Sequence, residues 1–308
     1  MAEHIIDASG LTLHFSPAQI FIGLAMLTII LLSNGKSLLF MWHVRLLLQL
    51  SRHLLFRRRH LTVSSASHGA ESLFLPVFTS SYTPLVDLDY NLHKSNSTFF
   101  TDLDANRTEL MLALFKNVMA PLKQNQTQAK ATTLKTKTIN LGGTACVFKK
   151  PIPPFARYEV SSRLLCWDAK WIYVVSHFTK PGASKPTAFV LGGQAKMERG
   201  GGKKREAGDE GVYASAIARY VFKAGRVTVK PEEIIEECGL LPEKEPTEQG
   251  ESNGKGEGNA GEVGEGHWSR EQVMEECRRS LPLAQNFASL DLLHGTRVGG
   301  SRPALYAY

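Results

Sequence analysis

Apolar and polar positions follow three rhythms along this chain, and each predicts a different element. From Ala18 to Ser33 (AQIFIGLAMLTIILLS) no position is charged. Ile and Leu dominate the run, each worth roughly 0.3–0.6 kcal/mol toward membrane insertion. Pro17 and Asn34-Gly35 bound a helix that falls slightly short of a span of about 30 Å at about 1.5 Å per residue. A second apolar segment, Leu38–Leu50, is interrupted by His43 and Arg45, which predicts an interfacial or a buried helix. Arg57-Arg58-Arg59 come next, and residues 61–72 (LTVSSASHGAES) are small and polar, as in a linker.

Beyond residue 72 the rhythms become those of a globular domain. Leu73–Tyr82 alternates loosely around a proline and predicts an edge strand. After a loop through His93, Ser95, Asn96, Ser97 and Thr98 are candidate N-caps. Phe99, Phe100, Leu103, Leu110, Met111, Leu114, Phe115, Val118 and Met119 then recur at helical spacing, and Pro121 ends the pattern. Following the polar stretch 122–140, period-two character predicts strands at Thr144–Lys149, Tyr158–Trp167, Trp171–Phe178, Thr187–Met197 and Val212–Phe222. Asp168-Ala169-Lys170 closes a hairpin between the second and third. The loop Glu198–Gly211 separates the last two. Pro231–Cys238 reads as a short helix and Trp268–Ser280 as a terminal helix, in which Glu275 and Arg279 are spaced for an ion pair. Residues 243–266 are nearly all Glu, Gly and small polar types, which form no core. One long helix followed by antiparallel strands is an α+β order.

Charge narrows the partners. The net +7 invites a nucleic-acid reading. However, residues 8–70 hold no Asp or Glu and six of the cations (Lys36, Arg45, Arg52 and Arg57–Arg59), so the remaining domain is near neutral. No nucleic-acid partner is expected. Basic residues just after an apolar run mark the cytosolic side of a membrane. The expectation is therefore a single-pass anchor with a basic juxtamembrane segment over 1–60, and the globular domain in the cytosol. Cys146, Cys166, Cys238 and Cys277 form no C-x-x-C pair and have no His cluster beside them. They predict no zinc site, inert thiols and a reducing compartment. The Asn96, Asn106 and Asn125 sequons would matter only in a lumen.

The densest polar run is Asp87-x-Asp89-x-Asn91-x-His93-x-x-Asn96, immediately before the long helix. A carboxylate there can act as base or nucleophile, with an amide and an imidazole close by to orient it or a water. The helix start adds unpaired N–H groups and a positive dipole end, donors suited to polarising a carbonyl oxygen. The combination fits ester or thioester cleavage. The same residues could equally cap the helix and its turn and do nothing more. The one G-x-S-x-G match, Gly250–Gly254, falls in the Glu/Gly-rich stretch with no strand before it, which is against an α/β-hydrolase elbow. Trp167, Trp171, Tyr173 and His177 read as core or interface residues, and Lys203-Lys204-Arg205 as a solvated loop.

The string DLDYNLHKSNSTFF, followed by a long helix and an antiparallel sheet, resembles the hotdog-fold acyl-thioesterases. Plant acyl-carrier-protein thioesterases carry a similar D-x-D-x-N-x-H-x-x-N run, and the bacterial 4-hydroxybenzoyl-CoA type keeps its two acids. PPFARYEVSSRLLCWDAKWIYVVSHF is similar to a hairpin of that superfamily. The overall resemblance, over roughly residues 38–238, is to thioesterase superfamily member six proteins and their fungal thioesterase-like relatives, some of them in secondary metabolism. It implies a single hotdog domain over 73–242, with an insertion at 198–211, paired as a homodimer or higher oligomer. It implies hydrolysis of acyl-CoA or carrier-bound acyl thioesters in lipid or secondary metabolism, without a cofactor or metal. Carried over by position, Asp89 is the base or nucleophile, Asn91 and His93 assist it, and Asp87 is structural. The backbone near Asn96 and Ser97 faces the thioester carbonyl. No residue here can be assigned to the further catalytic acid of the plant enzymes, and the 198–211 insertion departs from the usual domain. The alternatives are a non-catalytic acyl-binding or membrane-scaffold hotdog protein and an unrelated membrane-associated α+β protein.

Overall fold

A computed structural model describes residues 4–7, 10–13, 16–56, 62–119, 137–184, 186, 190–191, 211–242 and 267–296. The chain opens with a two-stranded ribbon, β1 (His4–Asp7) and β2 (Gly10–Leu13). The apolar run then forms α1 (Pro17–Ser33), started by a capping box between Ser16 and Gln19. Its 17 residues measure about 25 Å. Among the described residues no helix is long and apolar enough to cross a membrane. The expected single-pass anchor therefore finds no spanning helix there: α1 falls short of a bilayer core of about 30 Å. The Arg57–Arg59 collar lies outside the described residues.

The segment after α1 is docked on the domain. Asn34, 2% exposed, accepts the backbone N–H of Val86, and the Tyr82 hydroxyl donates to the Ser33 carbonyl. After a 3-10 turn at Gly35–Ser37, α2 (Met41–Leu50) lies against the long helix, with Gln49 donating to the Ala105 carbonyl. Residues 61–72, expected as a linker, are instead packed from Val63 onward. Val63 is buried with its N–H on the Ala113 carbonyl. The helical turn α3 (Ser65–His68) and a 3-10 stretch at Ala70–Phe74 bury Leu73 and Phe74.

The core is a sheet ordered β3-β5-β6-β7-β4, antiparallel throughout, with β8 extending β7. Its strands are β3 (Val77–Tyr82), β4 (Lys137–Phe148), β5 (Arg157–Trp167), β6 (Ile172–Thr179), β7 (Val212–Ala224) and β8 (Val227–Val229). Between β3 and β4 runs α4 (Asn96–Met119), which lies across one face of the sheet. Phe115 meets Phe222 of β7 at 5.1 Å, and Phe99 meets Phe178 of β6 at 4.7 Å. Side chains alternate between the faces of a strand, so Arg219, three residues before Phe222, points to the opposite face. There Asp291 receives its guanidinium, and the rings of Trp171 and Phe287 flank it at 4.5 and 5.8 Å. That second face is covered by α6 (Arg270–Ala288) and the 3-10 stretch Ser289–Thr296, while α5 (Pro231–Glu237) comes directly after β8. This long helix on an antiparallel sheet is the hotdog architecture.

Several boundaries move. β4 begins seven residues before the expected Thr144, at Lys137, and bulges between Leu141 and Gly143. A Cβ on Gly142 would come 2.2 Å from the Trp171 ring, so a glycine is required where the strand passes that indole. Most of the expected strand Thr187–Met197 lies outside the described residues, as do most of the 198–211 loop and all of 243–266; Val190 and Leu191 form a bend. α6 continues past Ser280 with Pro282 inside it, and Glu275 pairs with Arg278 one turn on instead of Arg279. Asn106 is 0% exposed and donates to Val77, Thr79 and Val160, which removes it as a glycan acceptor. The Trp167 and Tyr173 side chains are core, and His177 is bonded to Ser215.

Candidate active site

The polar run before α4 folds into a closed turn. A bridge between Leu88 and Lys94 sets its ends, and the Asp89 N–H donates to the His93 carbonyl at 2.9 Å. Oδ1 of Asp89 accepts the backbone N–H groups of Asn91 (2.9 Å) and His93 (3.3 Å). A short carboxylate that bonds its own backbone two residues on stabilises this kind of turn. Leu92 closes the turn at φ 58°, in the left-handed region. The Ser95 N–H donates to the Asp87 carbonyl at 2.7 Å, and α4 starts at the next residue.

Asp89, Asn91, His93 and Asn96 line a single open cleft of about 310 Å³, together with Lys94, Phe99 and the Phe148–Pro151 segment at the end of β4. Four of the five residues expected in the site are thus brought together. Ser97 does not line the cleft, and its hydroxyl pairs with that of Ser95 at 3.0 Å. The side chains of Asn91 and His93 make no hydrogen bond to the Asp89 carboxylate. It holds their backbone, and their side chains share the cleft wall with it. The first turn of a 24-residue helix opens on the same space, so its N–H groups and dipole meet whatever binds beside Asp89.

Beneath the turn lies a buried charge network that local spacing does not disclose. Asp102, on α4, is 2% exposed; its Oδ2 takes Lys36 and Lys94 at 3.0 Å each and the Tyr158 hydroxyl at 2.5 Å. Arg45 reaches its Oδ1 at 3.4 Å. Asp87 shares both lysines, at 3.1 and 3.3 Å, and accepts the Ser37 hydroxyl at 2.6 Å. Burial alone would raise the Asp102 pKa, but the Lys94 and Lys36 ammonium groups and the Tyr158 hydroxyl hold it down at about 2. Burial also pushes Lys94 below the usual lysine range, against the pull of Asp102 and Asp87. Its traces in the sequence are slight: Lys36 and Arg45 stand in an acid-free segment, and Asp87 is expected to be structural.

The thiols offer no competing nucleophile. Burial pushes Cys166 and Cys238 up to about 12 and Cys146 to about 11, so each stays protonated at neutral pH. Among the described residues, no group of three or more His, Cys, Asp or Glu side chains is placed to hold a metal ion.

A hotdog domain with an acidic turn and an open cleft at the start of its central helix is the arrangement that the thioesterase resemblance implies. A family model described as the thioesterase-like superfamily matches residues 83–223, from the Asp89 turn through β7. The thioesterase poxG of Penicillium oxalicum is 38% identical over 273 residues, covering 86% of this chain and 84% of its own. The probable thioesterase atnL of Emericella nidulans is 39% identical over 271 residues, covering 85% and 84%. Among solved structures, the probable thioesterase YbaW from Escherichia coli aligns at a TM-score of 0.34 and 13% identity, over 53% of this chain and 96% of its own. The chain belongs to the thioesterase-like superfamily, and it is a thioester hydrolase.

Proposed function

We propose that the substrate is an acyl thioester of coenzyme A or of a carrier protein, in lipid or secondary metabolism, and that hydrolysis takes place in the Asp89 cleft. The carrying observation is the placement of Asp89, Asn91, His93 and Asn96 on one open cleft at the N-terminus of α4. The thioester carbonyl docks at the helix start, where N–H groups and the dipole meet the charge that develops on oxygen. Asp89 takes the proton of an attacking water or attacks the carbonyl itself; its turn holds the carboxylate in place through backbone donors. Asn91 and His93 orient the water or leaving group from the same wall.

Two copies are proposed to pair along β4. Among the described strands it is bonded on one side only, by β7, and Val147 near its end is 72% exposed. For location, α1 exposes Ile20, Phe21, Leu24 and Leu27 along a helix too short to span. A shallow seat in a membrane surface, with the domain in the cytosol, is the corresponding proposal, and flotation with lipid vesicles tests it.

The test of function is thiol release from a panel of acyl-CoA chain lengths by the full chain and by Asp89→Ala. Release that disappears in the variant is expected, and equal rates in the two proteins would sink the mechanism. Calorimetric binding of acyl-CoA without thiol release in either protein would point instead to a non-catalytic acyl-binding role.

A further inference from the structure

A second, deeper hollow lies at the other edge of the sheet from the Asp89 cleft. It holds about 350 Å³ between β3, α4 and the segment after α2, and its wall is mainly apolar, including Val63, Val77, Leu110, Ala113 and Leu114. Its polar members include His53 and Glu109. Glu109 sits thirteen residues into α4 from Asn96, about 20 Å along the helix axis, so this cavity is separate from the cleft.

His53 is built into place. It is 3% exposed and lies in a π-helical turn, Ser51–Leu55, closed by the Phe56 N–H on the Ser51 carbonyl at 2.8 Å. Single π-turns are uncommon and frequently occur at functional sites. The Nε2 atom meets Glu109 Oε2 at 2.9 Å. Nδ1 is buried and has no hydrogen-bond partner among the described residues. In the neutral imidazole, with Nε2–H donated to the carboxylate, Nδ1 is left as an acceptor. A buried acceptor left unmade is costly, and a donor on a bound molecule would satisfy it. An anionic head group there would meet the Glu109 carboxylate instead.

We propose that this cavity binds a neutral aliphatic alcohol or hydroxylated chain. The hydrocarbon fills the space between β3 and α4, and the hydroxyl donates to His53 Nδ1. The site does not depend on the thioesterase reading, because it shares no lining residue with the cleft.

Calorimetry on the full chain tests it with three probes of one length: 1-octanol, its isomer 1-methoxyheptane, which lacks the O–H, and octanoate. One octanol per chain is expected, with the ether and the carboxylate at least tenfold weaker. Ala113→Phe, which fills the space, should abolish octanol binding, and His53→Phe should bring octanol down to the level of the ether. Should His53→Phe fail to fold, Glu109→Gln gives an independent reading: it removes the negative charge and should strengthen octanoate at least fivefold. Equal binding of octanol and ether to the unaltered chain, or no octanol binding, overturns the proposal, as does an octanoate affinity indifferent to Glu109→Gln. Heat is the readout, so a chain without hydrolytic activity tests it equally well.

Discussion

Asp87 and Asp89 are two residues apart, alike in chemistry and opposite in circumstance. Asp89 stands at the mouth of an open cleft, and its hydrogen bonds come from the backbone of its own turn. Asp87 is 5% exposed and is locked by Lys36, Lys94 and Ser37, two of which come from the segment after α1. The first arrangement leaves a carboxylate oxygen beside a helix start, where a substrate can reach it. The second ties three stretches of chain together and leaves nothing for a ligand. One short acidic motif thus supplies the carboxylate proposed to react and the anchor beside it. Lys94 joins the two, since it lines the cleft and reaches both Asp87 and Asp102.

The sharpest way to break this division is Asp89→Asn. It keeps the size of the side chain and removes the proposed base. Thiol release should fall by about 10²–10⁴-fold, the usual worth of a positioned acid–base group. The melting temperature should barely move, because the amide oxygen can still accept the turn's N–H groups. A large loss of stability would mean that Asp89, too, is an anchor.

Asp102→Asn inverts the expectation. Removing one partner of a buried ion network leaves Lys36 and Lys94 under-compensated, which costs about 3–5 kcal/mol. Urea unfolding would read this directly. Any loss of activity should track the unfolded fraction, and an Asp102→Asn chain as stable as the original would remove the network's structural role.

A pH series sharpens the same point without mutation. The folded Asp102 pKa of about 2 lies below the ordinary aspartate value of 3.8, so the unfolded chain takes up the proton first as the solution is acidified. The stability that this group contributes is therefore complete above about pH 4 and is lost as pH falls from there through about 2. It amounts to roughly 2 kcal/mol. In Asp102→Asn that part of the acid transition should be missing.

The legible parts of the molecule are those whose cause is local. The Asp89 turn and helix start are legible because an Asx-type turn and an N-terminus are written in consecutive residues. The Tyr158–Phe178 hairpin is legible because both strands keep period two around Asp168. The illegible parts have distant or contradictory causes. Lys36 meets Asp102 across 66 positions, and no pattern in either neighbourhood marks the pairing. Asp102 and Asn106 occupy the buried side of α4 as polar residues, which an apolar periodicity passes over. The middle of β4 carries Gly142-Gly143, a pair with weak strand propensity, and the Trp171 ring that needs the space at Gly142 comes from a distant strand start. The terminal helix is expected to stop at Ser280, yet α6 carries Pro282 internally while Ala284 packs into the core beyond it.

The smallest effect tests the turn itself. Leu92 holds φ 58° with its side chain 67% exposed, so it suffers the left-handed penalty of about 1–2 kcal/mol with little burial in return. Glycine adopts that conformation freely but adds entropy to the unfolded chain, which takes back roughly 0.5–1 kcal/mol. Leu92→Gly should therefore be neutral to stabilising by up to about 1 kcal/mol, a rise of about 2–4 °C at most in the melting temperature. Thiol release should stay within about twofold if the two N–H bonds to Asp89 Oδ1 define the turn, since a backbone change at Leu92 leaves both in place. A tenfold loss would show that the strained leucine, and not the carboxylate's own hydrogen bonds, keeps Asp89 aimed at the cleft.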